Sequence, residues 1–98
     1  MQYRVEIAPE AAKEIEEIYL YIAQDSPGNA ERWYFAIYDK IQTLKESPNR
    51  CPLAFESRFY SYEIRNLIFG SYRVLFRVKD GTVQILHVKH GARERTPF

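Results

Sequence analysis

The sequence predicts an α+β domain in the order β-α-α-β-β-β, with an N-terminal strand, an antiparallel helix hairpin and a three-stranded antiparallel meander. The helices are expected on one face of the sheet. Three observations carry this. Apolar residues alternate in QYRVEIA, residues 2–8. They recur at spacings of three and four through the next two segments. They then form the runs YRVLFRV and VQILHVKH around Lys79-Asp80-Gly81-Thr82. A period of two marks strands and a period near 3.6 marks helices.

The elements follow in order. Tyr3, Val5 and Ile7 point one way, with Arg4 and Glu6 the other, as in a half-buried strand. Pro9 suits the first turn of a helix, where its missing N–H costs little. Ala12, Ile15, Ile18, Tyr19 and Ile22 then make an apolar stripe, with Lys13, Glu14, Glu16 and Glu17 completing the circle of a helix over residues 9–24. Asp25-Ser26-Pro27-Gly28-Asn29 reads as a turn. Ala30, Trp33, Ile37, Ile41 and Leu44 mark a second helix to about Glu46, stopping before Pro48. The short linker makes the two helices antiparallel neighbours. Residues 47–58 hold two prolines and no clear period, as in an ordered loop. Residues 60–69, YSYEIRNLIF, read as a strand, and Gly70-Ser71 as a turn. Asp80-Gly81 between two apolar runs is a strong hairpin signal, because a type I′ turn needs φ > 0 at both central residues.

The chain has 98 residues, which suits one domain spanning 1–98. Cys51 is its only cysteine, so an intrachain disulfide is excluded. No apolar run reaches the roughly 18–20 residues of a membrane span. The N-terminus MQYRVEIAPE carries no signal-peptide core, so a cytoplasmic protein without a membrane partner is expected. Two histidines and one cysteine, without a CxxC or HxxxH pattern, argue against a metal site. With no glycine-rich phosphate loop among the four glycines, no cofactor is expected. Cys51 in its loop is read as structural rather than as a nucleophile.

Net charge is +1, but the signs are segregated. Residues 1–57 hold six Lys/Arg against ten Asp/Glu, a net of −4; residues 58–98 hold eight against three, a net of +5. The basic half either faces an anionic partner or neutralises the acidic helices within the monomer.

Placing Asp80-Gly81 at a two-residue turn sets a hairpin register. Val78 then pairs with Val83, Phe76 with Ile85, Val74 with His87, and Tyr72 with Lys89, all on the helix-facing side. The other face pairs Arg77 with Gln84, Leu75 with Leu86, Arg73 with Val88, and Ser71 with His90. That register places Arg73 and His90 on an open sheet face, with Arg65 and Arg93 as further members of a concave basic surface. Arginines so arranged bind phosphates or carboxylates through two N–H groups. A histidine among them is suited to acid–base work. Water-facing strands are routinely polar, however. Arg58 and Arg77 fit that ordinary explanation, as does His90 taken alone, and His87 fits a half-buried structural histidine.

With these residues in view, the chain resembles the RelE/ParE superfamily of toxins from prokaryotic type II toxin–antitoxin modules. The most specific stretch is IRNLIFGSYRVLFRVKDGTVQILHVKHGARE, residues 64–94. PEAAKEIEEIYLYIAQDSPGNA, followed by a helix ending in LKESP, matches the early pattern. The resemblance implies a compact toxin neutralised by a cognate antitoxin that wraps part of its surface, in a hetero-oligomer or with the toxin also self-associating. One branch of the family poisons DNA gyrase; the other is a ribosome-dependent mRNA endonuclease. In the RNase branch, Arg65, Arg73 and Arg93, with His90, would be catalytic and offset charge on the scissile phosphate. As a binding surface, Arg65, Arg73, Lys89, Arg93 and Arg95 would meet the target. The residues after Arg93 read Glu94-Arg95-Thr96-Pro97-Phe98, without the tyrosine that the RNase branch carries there. That departure and the weak net charge lean toward gyrase; a non-toxic, antitoxin-binding member is the remaining alternative. On either active reading, Arg65→Ala or Arg73→Ala is expected to abolish toxicity in a folded protein.

Overall fold

The structure is a computed structural model and describes residues 2–91. Strand β1 (Arg4–Ile7) leads into helix α1 (Pro9–Asp25), with Pro9 in its first turn as expected. Helix α2 (Pro27–Gln42) begins three residues earlier than the periodicity suggested. Pro27 fixes a helical φ, and the Ser26 hydroxyl accepts a hydrogen bond from the Asn29 N–H, so Pro27-Gly28-Asn29 becomes a first helical turn instead of a loop. Only Ser26, in an extended conformation, separates the helices. So short a link leaves them an antiparallel hairpin.

Three 3-10 turns follow, at Thr43–Lys45, Pro48–Arg50 and Phe55–Phe59. Ser47 between the first two is left-handed, at φ 48°. The Arg50 guanidinium holds this corner by donating to the carbonyls of Glu46 (2.9 Å) and Ser47 (3.2 Å) and to the Thr43 hydroxyl (3.1 Å).

Strands β2 (Arg65–Phe69), β3 (Tyr72–Lys79) and β4 (Thr82–His90) form the expected antiparallel meander. β1 joins it in parallel beside β4, giving the order β1-β4-β3-β2. Asp80 (φ 52°) and Gly81 (φ 74°) make the expected tight turn. β2 is half the length the sequence suggested. Residues 60–64 instead fold back, with the Ile64 N–H donating to the Ser57 hydroxyl and the Ala54 N–H to the Ile64 carbonyl. The Asn66 N–H donates to the Pro52 carbonyl, so this segment also covers part of the β2 edge.

The expected register holds only next to the turn. Val78–Val83, Arg77–Gln84 and Phe76–Ile85 pair as predicted, and then the ladder slips by one residue. Leu75 faces His87, Val74 faces Val88, Arg73 faces Lys89, and Tyr72 faces His90. The extra residue is a β-bulge in β4. Its physical reason is burial: the regular register would put His87 opposite Val74 in the core, whereas the slipped one puts Val88 there, 2% exposed. Burying a valine in place of an imidazole is worth on the order of 2 kcal/mol before any cost of stranding a ring nitrogen.

The main core joins Ala11 and Ile15 of α1, Ile37 and Ile41 of α2, and Val74, Phe76, Val83, Ile85 and Val88 of the sheet. The second sheet face, expected to be open, is covered. Ala54 and Ile64 pack on Leu75 there, with Tyr60, Tyr62 and Leu86 at the margin. Arg73, Val74, Leu75 and Phe76 are consequently buried in succession, the signature of a strand enclosed on both sides.

Candidate functional site

The basic residues singled out by sequence converge less than the simple register implied. Arg73 is 3% exposed and Glu56 is 0% exposed. The two form a bidentate pair, with Nη1 donating to Oε1 at 3.0 Å and Nη2 to Oε2 at 2.6 Å. Glu56 comes from the 3-10 turn Phe55–Phe59, seventeen residues away in sequence. The pair therefore clamps the covering segment to the second sheet face. Arginine matches a carboxylate with its planar fork, and pairing the two charges is what makes their burial tolerable.

Arg65 lies on the other face. It pairs across from Phe76, whose ring points into the helix-side core, whereas Arg73 alternates with Val74 and points away. The Arg65 Nη1 donates to the Cys51 carbonyl at 2.6 Å, and Nη2 lies 3.4 Å from Glu63. Arg65 thus fastens the start of β2 to the loop at 49–51. The Cys51 thiol beside it is pushed up from its ordinary pKa chiefly by burial, against the opposing pull of Arg50, Arg65 and Lys40. A raised pKa disfavours the thiolate, which is the nucleophilic form of the side chain.

Lys89 and His87 gather around Glu14 of α1. Glu14 accepts from the Val88 backbone N–H at 3.0 Å, lies 3.1 Å from His87 Nδ1, and pairs with Lys89 Nζ at 2.7 Å. β1 runs beside β4 only as far as Ile85, so the Glu14 carboxylate occupies the strand edge that β1 leaves uncovered. His90, expected beside Arg73 on an outer face, pairs with Tyr72 and meets its ring edge-on, with centroids 5.7 Å apart. Even so, Arg73 and His90 both line a groove at the end of the sheet, with Ile68, Gly70, Ser71, Tyr72 and Gly91. Of the four residues of the RNase-type constellation, the structure brings these two together and leaves Arg65 apart. Arg93, the fourth member, and Arg95 lie outside the described residues.

Glu56 and Glu14 were missed by sequence reasoning. Each is one acidic residue among several, and neither loop position nor helix period marks it as an arginine or strand-edge partner. Among the described residues, no three His, Cys, Asp or Glu side chains converge to hold a metal ion, and no helix is long and apolar enough to cross a membrane.

A family model described as the ParE toxin of the type II toxin–antitoxin system parDE matches residues 5–95. Among solved structures, the chain is similar to one from the chromosomal ParDE toxin–antitoxin system of P. aeruginosa, with a TM-score of 0.74 at 21% identity over 91% of this chain and 96% of that one. It is also similar to a chain of the RelBE2 toxin–antitoxin complex from Mycobacterium tuberculosis, with a TM-score of 0.63 at 22% identity over 92% and 99%. A third likeness is to the archaeal RelE–RelB complex from Pyrococcus horikoshii OT3, with a TM-score of 0.55 at 21% identity over 96% and 100%. No curated protein sequence matches the chain significantly. At these identities the structural likenesses speak for the fold, which has the same β-α-α-β-β-β order.

Proposed function

The chain belongs to the ParE toxin family of type II toxin–antitoxin systems, and from that premise we propose that it arrests growth by poisoning DNA gyrase through binding, without catalysis of its own. A cognate antitoxin is the partner that holds it inactive, as the toxin–antitoxin complexes of similar fold suggest. Its place of action is the cytoplasm, where gyrase works.

One observation carries the choice of target: the buried Arg73–Glu56 pair. A nuclease arginine must present donors to a phosphate whose negative charge grows in the transition state. In this protein both terminal nitrogens of Arg73 already bind a carboxylate. A phosphate entering there would place a second negative charge beside Glu56 or strand it unpaired, which costs several kcal/mol for a buried ion. Arg65, on the opposite face and tied to the Cys51 carbonyl, is not positioned to replace it.

Two assays on the purified protein test this reading. Inhibition of gyrase supercoiling with trapped cleavage complex is expected; cleavage of mRNA in a translating extract is not. RNA cleavage without gyrase inhibition would overturn the proposal in favour of the endonuclease. Silence in both assays, with tight antitoxin binding, would mark a non-toxic member.

The double variant Arg73→Met/Glu56→Leu sharpens the test. Arg73→Ala alone leaves a buried unpaired carboxylate, so the folded, inactive protein expected from sequence gives way to a destabilised one. The apolar pair keeps the packing and removes the charge. Growth arrest should survive in the double variant if gyrase is the target. It should vanish if Arg73 acts on RNA.

A further inference from the structure

The helix hairpin carries a surface apart from the basic residues of the sheet. A shallow cleft between α1 and α2 is floored by Tyr19, Tyr34 and Phe35 and flanked by Glu16 and Glu31. Tyr34 is its hub: its ring meets Tyr19 edge-on at 5.4 Å and Phe35 at 5.8 Å, and lies 5.0 Å from Tyr38. Phe35 is 60% exposed, unusual for a phenylalanine on a helix whose opposite face already fills the core. Helix spacing sets Glu31, Phe35 and Asp39 in one row four residues apart.

Among the described residues, neither Glu16 nor Glu31 has an ion-pair partner. Among the described residues, no guanidinium lies over the Tyr19, Tyr34 or Phe35 ring. Glu16 contributes, after burial and Tyr34, to holding the Tyr38 hydroxyl above its ordinary pKa, so its field reaches into the aromatic cluster.

The far side of the molecule shows what such rings do when a cation is at hand. There the Arg77 guanidinium stands 4.0 Å from the centre of the Tyr62 ring, and that of Arg58 stands 5.1 Å from Phe55. A ring face attracts a cation through its quadrupole, and carboxylates at the rim add to the pull. The same carboxylates reject a purely apolar or acidic partner, which would desolvate them without neutralising them. Charge therefore selects the occupant.

We propose that this cleft docks a basic segment of a partner protein, with an arginine or lysine seated over Tyr34 and Phe35 between Glu16 and Glu31 and an apolar neighbour against the exposed edge of Phe35. The site includes none of Arg65, Arg73 and His90, so it stands whether the target is gyrase or RNA.

The test is selection of random dodecapeptides displayed on phage against the full-length protein, with counter-selection on Glu16→Gln/Glu31→Gln and on Phe35→Ser. Peptides that need the wild-type cleft should carry Arg or Lys beside an apolar residue. Synthesised, they should bind each variant about tenfold more weakly and lose affinity as salt is added. Glu16, Glu31 and Phe35 are all exposed, so circular dichroism of the variants should match the wild type. Glu31→Lys serves as a second variant should Phe35→Ser alter folding. Three outcomes would overturn the proposal: no cleft-dependent binders, cleft-dependent binders without a basic residue, or a dimer of the wild type that Phe35→Ser dissolves, which would make a second copy the occupant.

Discussion

The two halves of this protein handle charged and aromatic side chains in opposite ways. In the sheet half, Arg73 locks onto Glu56, Arg65 onto the Cys51 carbonyl, Lys89 onto Glu14, and Arg77 onto the Tyr62 ring. In the helix hairpin, Glu16 and Glu31 flank the exposed Phe35 and the half-buried Tyr19 and Tyr34, with no cation over these rings among the described residues. A polar side chain on a strand enclosed by layers on both sides must find an internal partner, because water is not available to it. One on the outer face of a surface helix keeps its hydration and stays available to a partner. Net basic character in the second half of the chain is therefore a poor guide to where that half meets anything.

Breaking the buried pair should produce the largest effect. Arg73→Ala or Glu56→Ala should each lower unfolding free energy by about 3–5 kcal/mol in urea denaturation, with Arg73→Met/Glu56→Leu recovering most of it. A single-variant loss below about 1 kcal/mol would mean that the pair behaves as a surface salt bridge and that the contrast between the halves is wrong. Arg65→Ala should cost less, about 1–2 kcal/mol, since its main partner is a backbone carbonyl. Limited proteolysis should then cut within residues 47–64 sooner than in the wild type.

Alkaline titration should reveal a gentler effect. Cys51 and Tyr38 are both raised above their ordinary values of 9.0 and 10.0, each mainly by burial, with Tyr34 and Glu16 adding to the shift of Tyr38. A group whose folded pKa is raised stabilises the fold in its protonated form. That contribution is complete below the ordinary value and is lost as pH climbs through the raised one. Unfolding free energy should thus decline above about pH 9, and Tyr38→Phe with Cys51→Ala should flatten the decline relative to the wild type. The smallest effect belongs to the hairpin surface: Glu31→Gln should change stability by less than about 0.5 kcal/mol. A larger loss would show that Glu31 has a structural duty and would weaken the case for the cleft as a docking site.

Much of the architecture was legible in the residues. The switch from a period of two to one near 3.6 and back, with Asp80-Gly81 at the final turn, set the element order and the helix-facing residues next to that turn. So was Pro9 as a helix start, because proline's effects are local; the second helix, expected to run to about Glu46, ends at Gln42, where a 3-10 turn takes over. Local chemistry also placed Arg65, Arg73, Lys89 and His90 on or beside strands, and the ordered motif from Ile64 to Glu94 pointed to the toxin superfamily. Tertiary structure alone decided the rest. The bulge in β4 arises because burying Val88 instead of His87 outweighs a regular ladder, a comparison that needs the helices in place. The covering of the second sheet face arises because the segment after Ser47 folds back over Leu75. Only then do Glu56 and Arg73 meet, and a residue that reads as a phosphate ligand becomes an internal clamp. Periodicity is a property of neighbouring residues; pairing across seventeen residues depends on which surfaces the finished fold removes from water.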